Sequence, residues 1–379
     1  MNLRSLVLCS DDKIIRVLRR VLSDLEISVE VCSDSDAAIR KLTRQRYEAV
    51  IVDCDDEALA ARVLASVRSA PCNKRSIAVA MIDGQKAVRS AFTLGAHFVL
   101  YKPISAERAR TSFRAARALM KCERRRNTRI AMQIPVTLTG EKGNGQKAPV
   151  TVDIGLGGLS LQLARRKRGS EPLRVRFTLP GTEHVIECAA EVAWEGSGSQ
   201  TGIRFKDMLS DQQVFLKQWL ARHSSEIEQE DPPASCRLTD LSVGGCYLEI
   251  AAPLPVRTLV MLTMKIAKLE SCVEGLVRVM HPEHGMGLEF TRTTSQQRER
   301  LEKFIQVLGG SKDTQPELMV APEGLDDDDE SASKASSENE IDDPLLDLFR
   351  RSGDLTVENF RAELNKQRSV ASAAQSVSA

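Results

Sequence analysis

The sequence predicts a multidomain protein of the α/β plus β class: a doubly wound five-stranded parallel sheet, then two small antiparallel β-barrels each closed by a C-terminal helix, then a disordered acidic tail. Three observations predict this architecture. Apolar strand patterns alternate with helical patterns five times within residues 1–120, as in a parallel sheet covered by helices. One segment recurs 85 to 87 residues later within residues 121–309. Residues 310–379 carry 16 acidic against 7 basic side chains, a composition too polar to bury a core.

These patterns divide the chain of 379 residues into four parts. The α/β domain spans 1–120, the first barrel 121–222, the second barrel 233–309 and the tail 310–379, with the polar segment RHSSEIEQEDPPAS between the barrels. The net charge of +1 separates into +10 before residue 310 and −9 from there on. The end of the tail is different, because its spaced apolar residues predict short amphipathic helices that suit docking to a protein: Leu345, Leu348, Phe349, Leu355, Phe360 and Leu364.

Charged residues follow three strands of the predicted parallel sheet. Asp11 and Asp12 come after the first strand, Asp53 after the third, and Lys102 after the fifth. In such a sheet the carboxyl ends of the strands form the functional edge. Three carboxylates and one lysine at that edge suit Mg²⁺ binding and acceptance of a phosphoryl group.

At these residues the domain resembles the receiver domain of two-component response regulators. The resemblance implies that Asp53 is the phosphoacceptor, that Asp11 and Asp12 are metal-binding acids, that Lys102 is the supporting lysine, and that a sensor kinase is a partner.

Two positions depart from the receiver pattern. The fourth strand ends in Met81 and Ile82 without the expected hydroxyl, and Val99 stands where the family has its switch aromatic. Two interpretations therefore stay open: a phosphorylatable receiver, or a pseudo-receiver that serves docking or homodimerisation.

The internal repeat is the strongest structural signal in the chain. VTVDIGLGGLSLQLA recurs as CRLTDLSVGGCYLEIA, which aligns Asp153 with Asp240, and TGIRF recurs as MGLEF, which aligns Gly202 with Gly287. Each copy continues into an amphipathic helix. The repeat predicts two copies of one barrel.

A basic cluster, RRRNTR, precedes the first copy. Arg125 and Arg129 offer two planar donor forks that suit phosphate oxygens or the edge of guanine. Asp153 is suited to accept from guanine donors, and nearby glycines let a ligand approach the backbone. The alternative is a solvated charge run followed by a hairpin turn.

The two copies resemble PilZ domains, bacterial receptors for cyclic di-GMP, whose motif is an RxxxR arm and a D/NxSxxG turn. In the first copy the resemblance implies a ligand site with glycine in place of the family's serine, formed by Arg125, Arg126, Arg129, Asp153, Gly155 and Gly158. The missing hydroxyl predicts one hydrogen bond less, about 1 kcal/mol. The second copy keeps the turn as Asp240, Ser242 and Gly245 but has no arm, so it is a second candidate site of lower rank.

The functional expectation is a cyclic di-GMP-responsive signalling effector, in which the ligand reorients the receiver-like domain towards a protein partner. The alternative is a scaffold of pseudo-receiver and non-binding PilZ domains. Neither an enzyme nor direct DNA binding is expected, because no nucleophile and base pair and no spare recognition helix is visible. Nine cysteines without CxxC spacing, no signal peptide and no long apolar run predict a cytoplasmic protein off the membrane.

Overall fold

The computed structural model describes residues 3–139, 149–162, 173–195, 200–223, 231–266, 269–291, 295–310, 315–326, 343–351 and 358–366. The chain divides into two compact units. One comprises Met1–Glu123 together with Glu230–Ala379, and the other comprises Arg124–Gln229.

The N-terminal domain is a parallel sheet of five strands in the order β2-β1-β3-β4-β5. Its central strands are buried on both faces, which explains their unbroken apolar sequences. The strands are β1 Leu3–Leu8, β2 Ile27–Cys32, β3 Ala49–Asp53, β4 Ile77–Ile82 and β5 Phe98–Tyr101. The helices are α1 Asp12–Asp24, α2 Ser35–Arg44, α3 Glu57–Ser69, α4 Val88–Thr93 and α5 Ala106–Asn127. The predicted doubly wound fold is confirmed.

In the first barrel the described residues form an open seven-stranded antiparallel sheet in the order β6-β8-β9-β12-β11-β10-β7, so the closed barrel predicted for this copy is only partly formed. Its strands are β6 Arg129–Ala131, β7 Thr137–Thr139, β8 Val150–Gly155, β9 Gly158–Gln162, β10 Leu173–Thr178, β11 Val185–Glu195 and β12 Gln200–Lys206. Residues 134–136 hydrogen-bond to the start of β8 and lead directly into β7, which pairs with β10. This segment therefore bridges the two sides of the sheet. Helix α6, Ser210–His223, contributes Leu216 and Trp219 to the core.

The second barrel is closed, with the strand order β13-β14-β17-β16-β15-β18. The strands are β13 Ala234–Leu241, β14 Gly245–Glu249, β15 Thr258–Ile266, β16 Leu269–His281, β17 Gly285–Phe290 and β18 Glu317–Leu325. Helix α7, Ser295–Gly310, inserts Leu301 and Phe304 into the core. Each predicted barrel thus has its C-terminal helix.

Strand β18 closes the second barrel, and it comes from the C-terminal side of that barrel's sequence. In the first barrel the strand between β10 and β8 comes from residues 134–139, which precede both of these strands in the chain. In the second barrel the corresponding place, between β15 and β13, is filled by residues 317–325, behind the closing helix. The second copy is therefore a circularly permuted version of the first.

The prediction of a disordered tail from residue 310 is corrected by this strand, whereas short helices lie where the sequence predicted them, α8 Pro344–Arg351 and α9 at residues 358–366. In β18, Leu318 and Val320 enter the core, whereas Met319 between them points outward and is exposed. The acidic stretch 327–342 and residues 367–379 lie outside the described residues. Leu355, one of the predicted apolar positions, also lies outside them.

The N-terminal domain and the second barrel touch through α5 and β18. The Leu325 backbone N–H donates to Glu123 Oε1 at 2.6 Å, and Cys122 Sγ lies 3.1 Å from the Pro322 carbonyl oxygen. Lys121 Nζ and Arg117 Nη1 both bind the Asp231 carboxylate, at 2.7 and 3.1 Å. These contacts explain why both parts belong to one compact unit.

Within the described ranges, no helix is long and apolar enough to cross a membrane.

Candidate functional site

The predicted arm of the first barrel combines a helix end with a strand. Arg125 and Arg126 lie in the last turn of α5, where both are half-buried, and Arg129 is the first residue of β6. Thr128 joins the two elements, since its hydroxyl donates to the Arg124 carbonyl oxygen at 2.9 Å. Because the second unit begins at Arg124, the whole arm lies in the same unit as the first barrel.

Arg129 and Asp153 form the polar centre of the site. Arg129 pairs with Gly155 across β6 and β8, which brings its guanidinium over the Asp153 carboxylate, with Nη1 2.5 Å from Oδ1. Ser160, opposite Asp153 on β9, donates to the same Oδ1 at 2.9 Å and accepts from Arg129 Nη1 at 3.1 Å. The structure therefore brings two of the predicted residues together around a shared hydroxyl.

Ser160 is a site residue that sequence reasoning missed. It is a buried polar residue between Leu159 and Leu161, and this interruption of an apolar strand was the available signal. Its hydroxyl holds the Asp153 carboxylate in position. Arg129 contacts both Asp153 and Ser160 through Nη1, and its side chain is 42% exposed.

The two predicted site glycines have structural reasons of their own. A Cβ on Gly158 would lie 2.1 Å from the Ile203 carbonyl oxygen. Strands β9 and β12 therefore approach each other so closely that this position has no room for a side chain. A Cβ on Gly155 would lie 2.9 Å from the Thr128 carbonyl oxygen and 3.3 Å from Arg129 Cγ. Glycine at 155 is therefore what lets the arm lie on the turn.

Gly155→Ser is accordingly expected to destabilise the first barrel rather than to restore a missing hydrogen bond. The added Cβ must displace backbone of the arm, an overpacking effect of about 1 to 3 kcal/mol. Urea unfolding followed by circular dichroism measures it. The matched control is Gly157→Ser, because a Cβ there meets nothing within 4 Å. Equal stability of the two variants would contradict the steric explanation.

The second barrel presents the corresponding turn in a different state. Ser242 Oγ accepts from the Gly245 backbone N–H at 3.0 Å and donates to the Gly245 carbonyl oxygen at 3.1 Å, so its hydroxyl closes the turn. Asp240 pairs in register with Tyr247, where the first barrel has Asp153 opposite Ser160. The hydroxyl that braces the site aspartate is thus replaced by a buried aromatic residue.

The tail covers this second turn. The Gly244 backbone N–H donates to Asp343 Oδ2 at 3.1 Å, and a Cβ on Gly245 would lie 3.1 Å from Leu346 Cδ2. Gly244 and Gly245 of this turn therefore lie beside residues 343–346 of the chain's own C-terminal end.

His281, beneath this segment, makes stability depend on pH. Its Nδ1 bonds the Tyr247 hydroxyl at 2.9 Å, and burial, with smaller contributions from His284 and Arg361, lowers its pKa to about 4. Glu249, on the same strand as Tyr247, faces Arg361 at 3.8 Å. The unfolded histidine has a pKa near 6.5. The unfolded chain therefore binds the extra proton between these values, and stability is lost as pH falls from about 6.5 to 4.

The expected result is that unfolding in urea at pH 5 shows about 2 kcal/mol less stability than at pH 7 from this residue alone. His281→Gln removes the titration, so the variant should lose less stability than the unaltered chain over the same interval. An identical pH dependence in both proteins would exclude His281 as the cause.

At the carboxyl edge of the parallel sheet, Asp53 and Lys102 meet as predicted. Lys102 Nζ lies 2.5 Å from Asp53 Oδ1 and 2.5 Å from Asp55 Oδ1. Burial alone would lower the pKa of Lys102, but its hydrogen bonds to the two carboxylates outweigh burial and raise it. On the other side, Cys9 Sγ donates to Asp53 Oδ2 at 3.5 Å. Sequence reasoning missed Cys9, although its place at the end of β1 was visible.

The predicted metal acids are not brought together with Asp53. Asp11 caps α1, where its Oδ1 accepts from the Lys13 and Ile14 backbone N–H groups at 2.7 and 3.4 Å, and Asp12 is the first, exposed residue of that helix. Aspartate is favoured both as a metal ligand and as a helix cap. Among the described residues no group of three metal-ligating side chains forms. The three carboxylates therefore do not converge in this structure, and magnesium binding at this edge stays a prediction.

Comparison with protein families agrees with the two barrels. Residues 123–223 and 219–306 each match the family model described as PilZ domain. A comparison with curated proteins found no match.

Solved structures similar to the N-terminal part are signalling domains. A response regulator from Chloroflexus aurantiacus is 22% identical, covering 29% of this chain and 92% of that one at a TM-score of 0.26. A receiver domain of a sensor histidine kinase from Pseudomonas aeruginosa, with magnesium in its active site cleft, is 20% identical. The match covers 32% of this chain and 99% of that one at a TM-score of 0.28. A chemotaxis response regulator of Vibrio cholerae is 18% identical, and the match covers 31% of this chain and 99% of that one at a TM-score of 0.29. Identities and TM-scores this low carry no functional conclusion for residues 3–120.

Proposed function

Because the chain carries two tandem PilZ domains behind a receiver-like domain, we propose that it is a signalling effector that binds cyclic di-GMP at its first barrel. The observation that carries the proposal is the cluster of Arg129, Asp153 and Ser160, which follows the helical arginines Arg125 and Arg126 in the chain. Within the described residues, an arginine arm and an aspartate turn coexist only in the first barrel.

The chemistry of the ligand fits this cluster. Cyclic di-GMP has two phosphates and two guanines, and guanidinium groups bind both phosphate oxygens and the O6/N7 edge of guanine. An aspartate whose carboxylate is held by Arg129 and Ser160 is oriented in advance, which lowers the entropic cost of binding. Its second oxygen, Oδ2, is suited to accept from guanine N–H donors.

The position of the arm supports a route for the signal. The arm begins in the last turn of α5, the final helix of the receiver-like domain, and lies at the start of the unit that holds the first barrel. A ligand held between the arm and the turn restrains the backbone at Thr128, where the helix changes to a strand. We expect binding to change the orientation of the receiver-like domain and thereby its availability to a protein partner.

Titration calorimetry with the full chain tests the proposal. Saturable binding of cyclic di-GMP is expected at ligand concentrations of about 10 μM or below, which corresponds to about −7 kcal/mol. GTP serves as the control, because it offers one guanine and a different phosphate arrangement. No heat with cyclic di-GMP at tens of micromolar would refute ligand binding and leave the scaffold as the function.

A specific observation favours a receiver-like domain that works without phosphorylation. Asp53 is held between Lys102 and the thiol of Cys9, while Val99 stands on the buried fifth strand in place of a switch aromatic. We expect no phosphoryl transfer from acetyl phosphate, assayed by intact-protein mass spectrometry with Asp53→Asn as the background. A mass increase of one phosphoryl group that disappears in Asp53→Asn would show a working receiver instead.

A further inference from the structure

The C-terminal segment, defined here as α8 with its preceding Asp343 and α9, packs on one face of the second barrel. Its apolar side chains are buried: Leu345, Leu348, Phe349, Phe360 and Leu364. They form a cluster with Tyr247 of β14 and Val279 of β16, separate from the core inside the barrel. The segment therefore occupies an external binding face.

A carboxylate of this segment lies on the glycine turn. Asp343 is 5% exposed, its Oδ2 accepts from the Gly244 backbone N–H at 3.1 Å, and its Oδ1 accepts from the Leu345 N–H at 3.0 Å. Asp343 thus caps α8 and at the same time supplies an anion to a backbone donor of the turn. A Cβ on Gly244 would lie 2.6 Å from Asp343 Oδ2, so the turn is shaped to this contact.

Aromatic contacts with two equivalent glycines show that the face of the second barrel is adapted to receive a ring from outside. In the first barrel Gly202 pairs with Trp194, and a Cβ there would lie 2.2 Å from the Trp194 indole nitrogen. In the second barrel the paired residues are Gly287 and Val279, and a Cβ on Gly287 would lie 2.6 Å from the ring of Phe349.

In the first barrel the ring over the glycine belongs to the barrel itself, as Trp194 over Gly202. In the second barrel the ring over the equivalent glycine, Gly287, is Phe349 of the C-terminal segment. The smaller Val279 leaves the space that Phe349 fills. Phe360 adds a second ring over Tyr247, with ring centroids 5.0 Å apart. Because both a strand residue and a glycine are matched to Phe349, the contact is specific rather than general apolar coverage.

We propose that the second PilZ barrel is a peptide receptor and that its ligand is this chain's own C-terminal segment, bound on the turn that corresponds to the nucleotide site of the first barrel. The peptide it recognises is an amphipathic helix that begins with a buried aspartate and carries a phenylalanine six residues later. Residues 327–342 tether the ligand, so binding is intramolecular and tolerates a modest intrinsic affinity. While the segment is bound, the second barrel does not take a dinucleotide at Asp240, Ser242 and Gly245.

The test cuts the folded protein between the second barrel and the C-terminal segment, so that binding of the segment can be measured between separate molecules. A recognition sequence for a site-specific protease replaces part of residues 327–342 in the full chain, and the folded protein is cut, which leaves β18 in the barrel. A fluorescein-labelled peptide of residues 343–366 is then added, and anisotropy is recorded. Saturable binding to the cut protein is expected, at least tenfold tighter than to the uncut protein, whose site is occupied.

Peptide variants distinguish a specific ligand from a sticky helix. Asp343→Ala and Phe349→Ala should each weaken binding by about tenfold or more, because each removes a buried contact. Arg350→Ala is the matched control on the same helix, with its side chain 70% exposed, and should bind like the unaltered peptide. Equal affinity of all four peptides would overturn the proposal.

A second measurement keeps the proposal testable if cutting unfolds the barrel. In the uncut chain, Gly287→Ala should speed hydrogen exchange in residues 343–366 by tenfold or more, because the added methyl group displaces Phe349. Gly275→Ala is the control, since a Cβ there meets only ordinary contacts at 3.4 Å or more. Unchanged exchange in Gly287→Ala refutes the proposal. A dimer of the uncut chain that becomes monomeric on cutting would also overturn it, because the ligand would then belong to a second copy.

Discussion

Replacing both Arg125 and Arg129 by alanine is expected to lower the affinity for cyclic di-GMP by about 10²- to 10⁴-fold. Each guanidinium supplies charge-assisted hydrogen bonds of about 1.5 to 3 kcal/mol, and tenfold in affinity corresponds to about 1.4 kcal/mol. Arg129 contributes twice, because it also holds the Asp153 carboxylate. Titration calorimetry on the full chain measures the change.

The matched control is the double variant Arg174→Ala, Arg176→Ala. Both residues are exposed on β10 of the same barrel, which is not a neighbour of β6 or β8, so the variant removes the same two positive charges without altering the arm. Equal weakening by this control would attribute the effect to net charge alone. Unchanged affinity of the Arg125→Ala, Arg129→Ala variant with its fold intact by circular dichroism would remove the arm from the site.

The affinity for cyclic di-GMP should also depend on ionic strength, and the arm arginines should account for part of that dependence. Arg129 has a side chain 42% exposed, so part of its interaction with a phosphate is screened by salt. Affinity of the unaltered protein is expected to decrease between low and physiological salt, and the Arg125→Ala, Arg129→Ala variant should show a smaller decrease. A steeper salt dependence in the variant would mean that other cations hold the phosphates.

The repeat made both barrels predictable from the sequence. The offset that aligns Asp153 with Asp240 also aligns the strand partners Ser160 and Tyr247 in the structure. Hydrophobic alternation and the two amphipathic helices specify the barrel locally, and such local agreement with the global fold is what a sequence displays most clearly. The five βα units of the N-terminal domain were predictable for the same reason.

The metal acids show how the start of a helix decides which side chain meets Asp53. Asp11 and Asp12 have the residue type and the position after β1 that a receiver requires, yet α1 begins at Asp12 and Asp11 is its cap. The residue that reaches Asp53 is Cys9, two positions earlier. A helix start shifted by one or two residues decides which side chain faces the pocket, and helix ends are the least certain part of a sequence-based assignment.

The closing strand of the second barrel was hidden for another reason. Composition is averaged over a window, and the acidic run after residue 326 obscures the alternation in residues 317–325. A repeat comparison also follows chain order, whereas the permuted strand lies behind α7 rather than ahead of β13. Neither the composition nor the repeat can reveal strand pairing between distant segments, such as that of Cys236 with Leu318, which are 82 residues apart in the sequence.

Ending the chain after residue 310 is therefore expected to unfold the second barrel, although that is where the sequence places the domain boundary. The truncation removes β18, which pairs with both β13 and β15 and buries Leu318 and Val320. Each buried aliphatic side chain contributes about 1.5 to 3 kcal/mol. Two of them, with both ladders of hydrogen bonds, approach the whole stability of a typical domain, about 5 to 15 kcal/mol. Thermal unfolding and hydrogen exchange of β13 and β15 measure the loss.

The matched control ends the chain after Asp326, which keeps β18 and removes everything beyond it. This shorter tail should leave β13 and β15 protected from exchange, while exposing the face around Tyr247 and Val279 that the C-terminal segment covers. A chain ending at 310 that retains exchange protection in β13 and β15 would show that the barrel closes without β18. The Glu123 side chain would lose its Leu325 partner only in the chain ending at 310, so destabilisation of α5 should accompany that truncation and not the control.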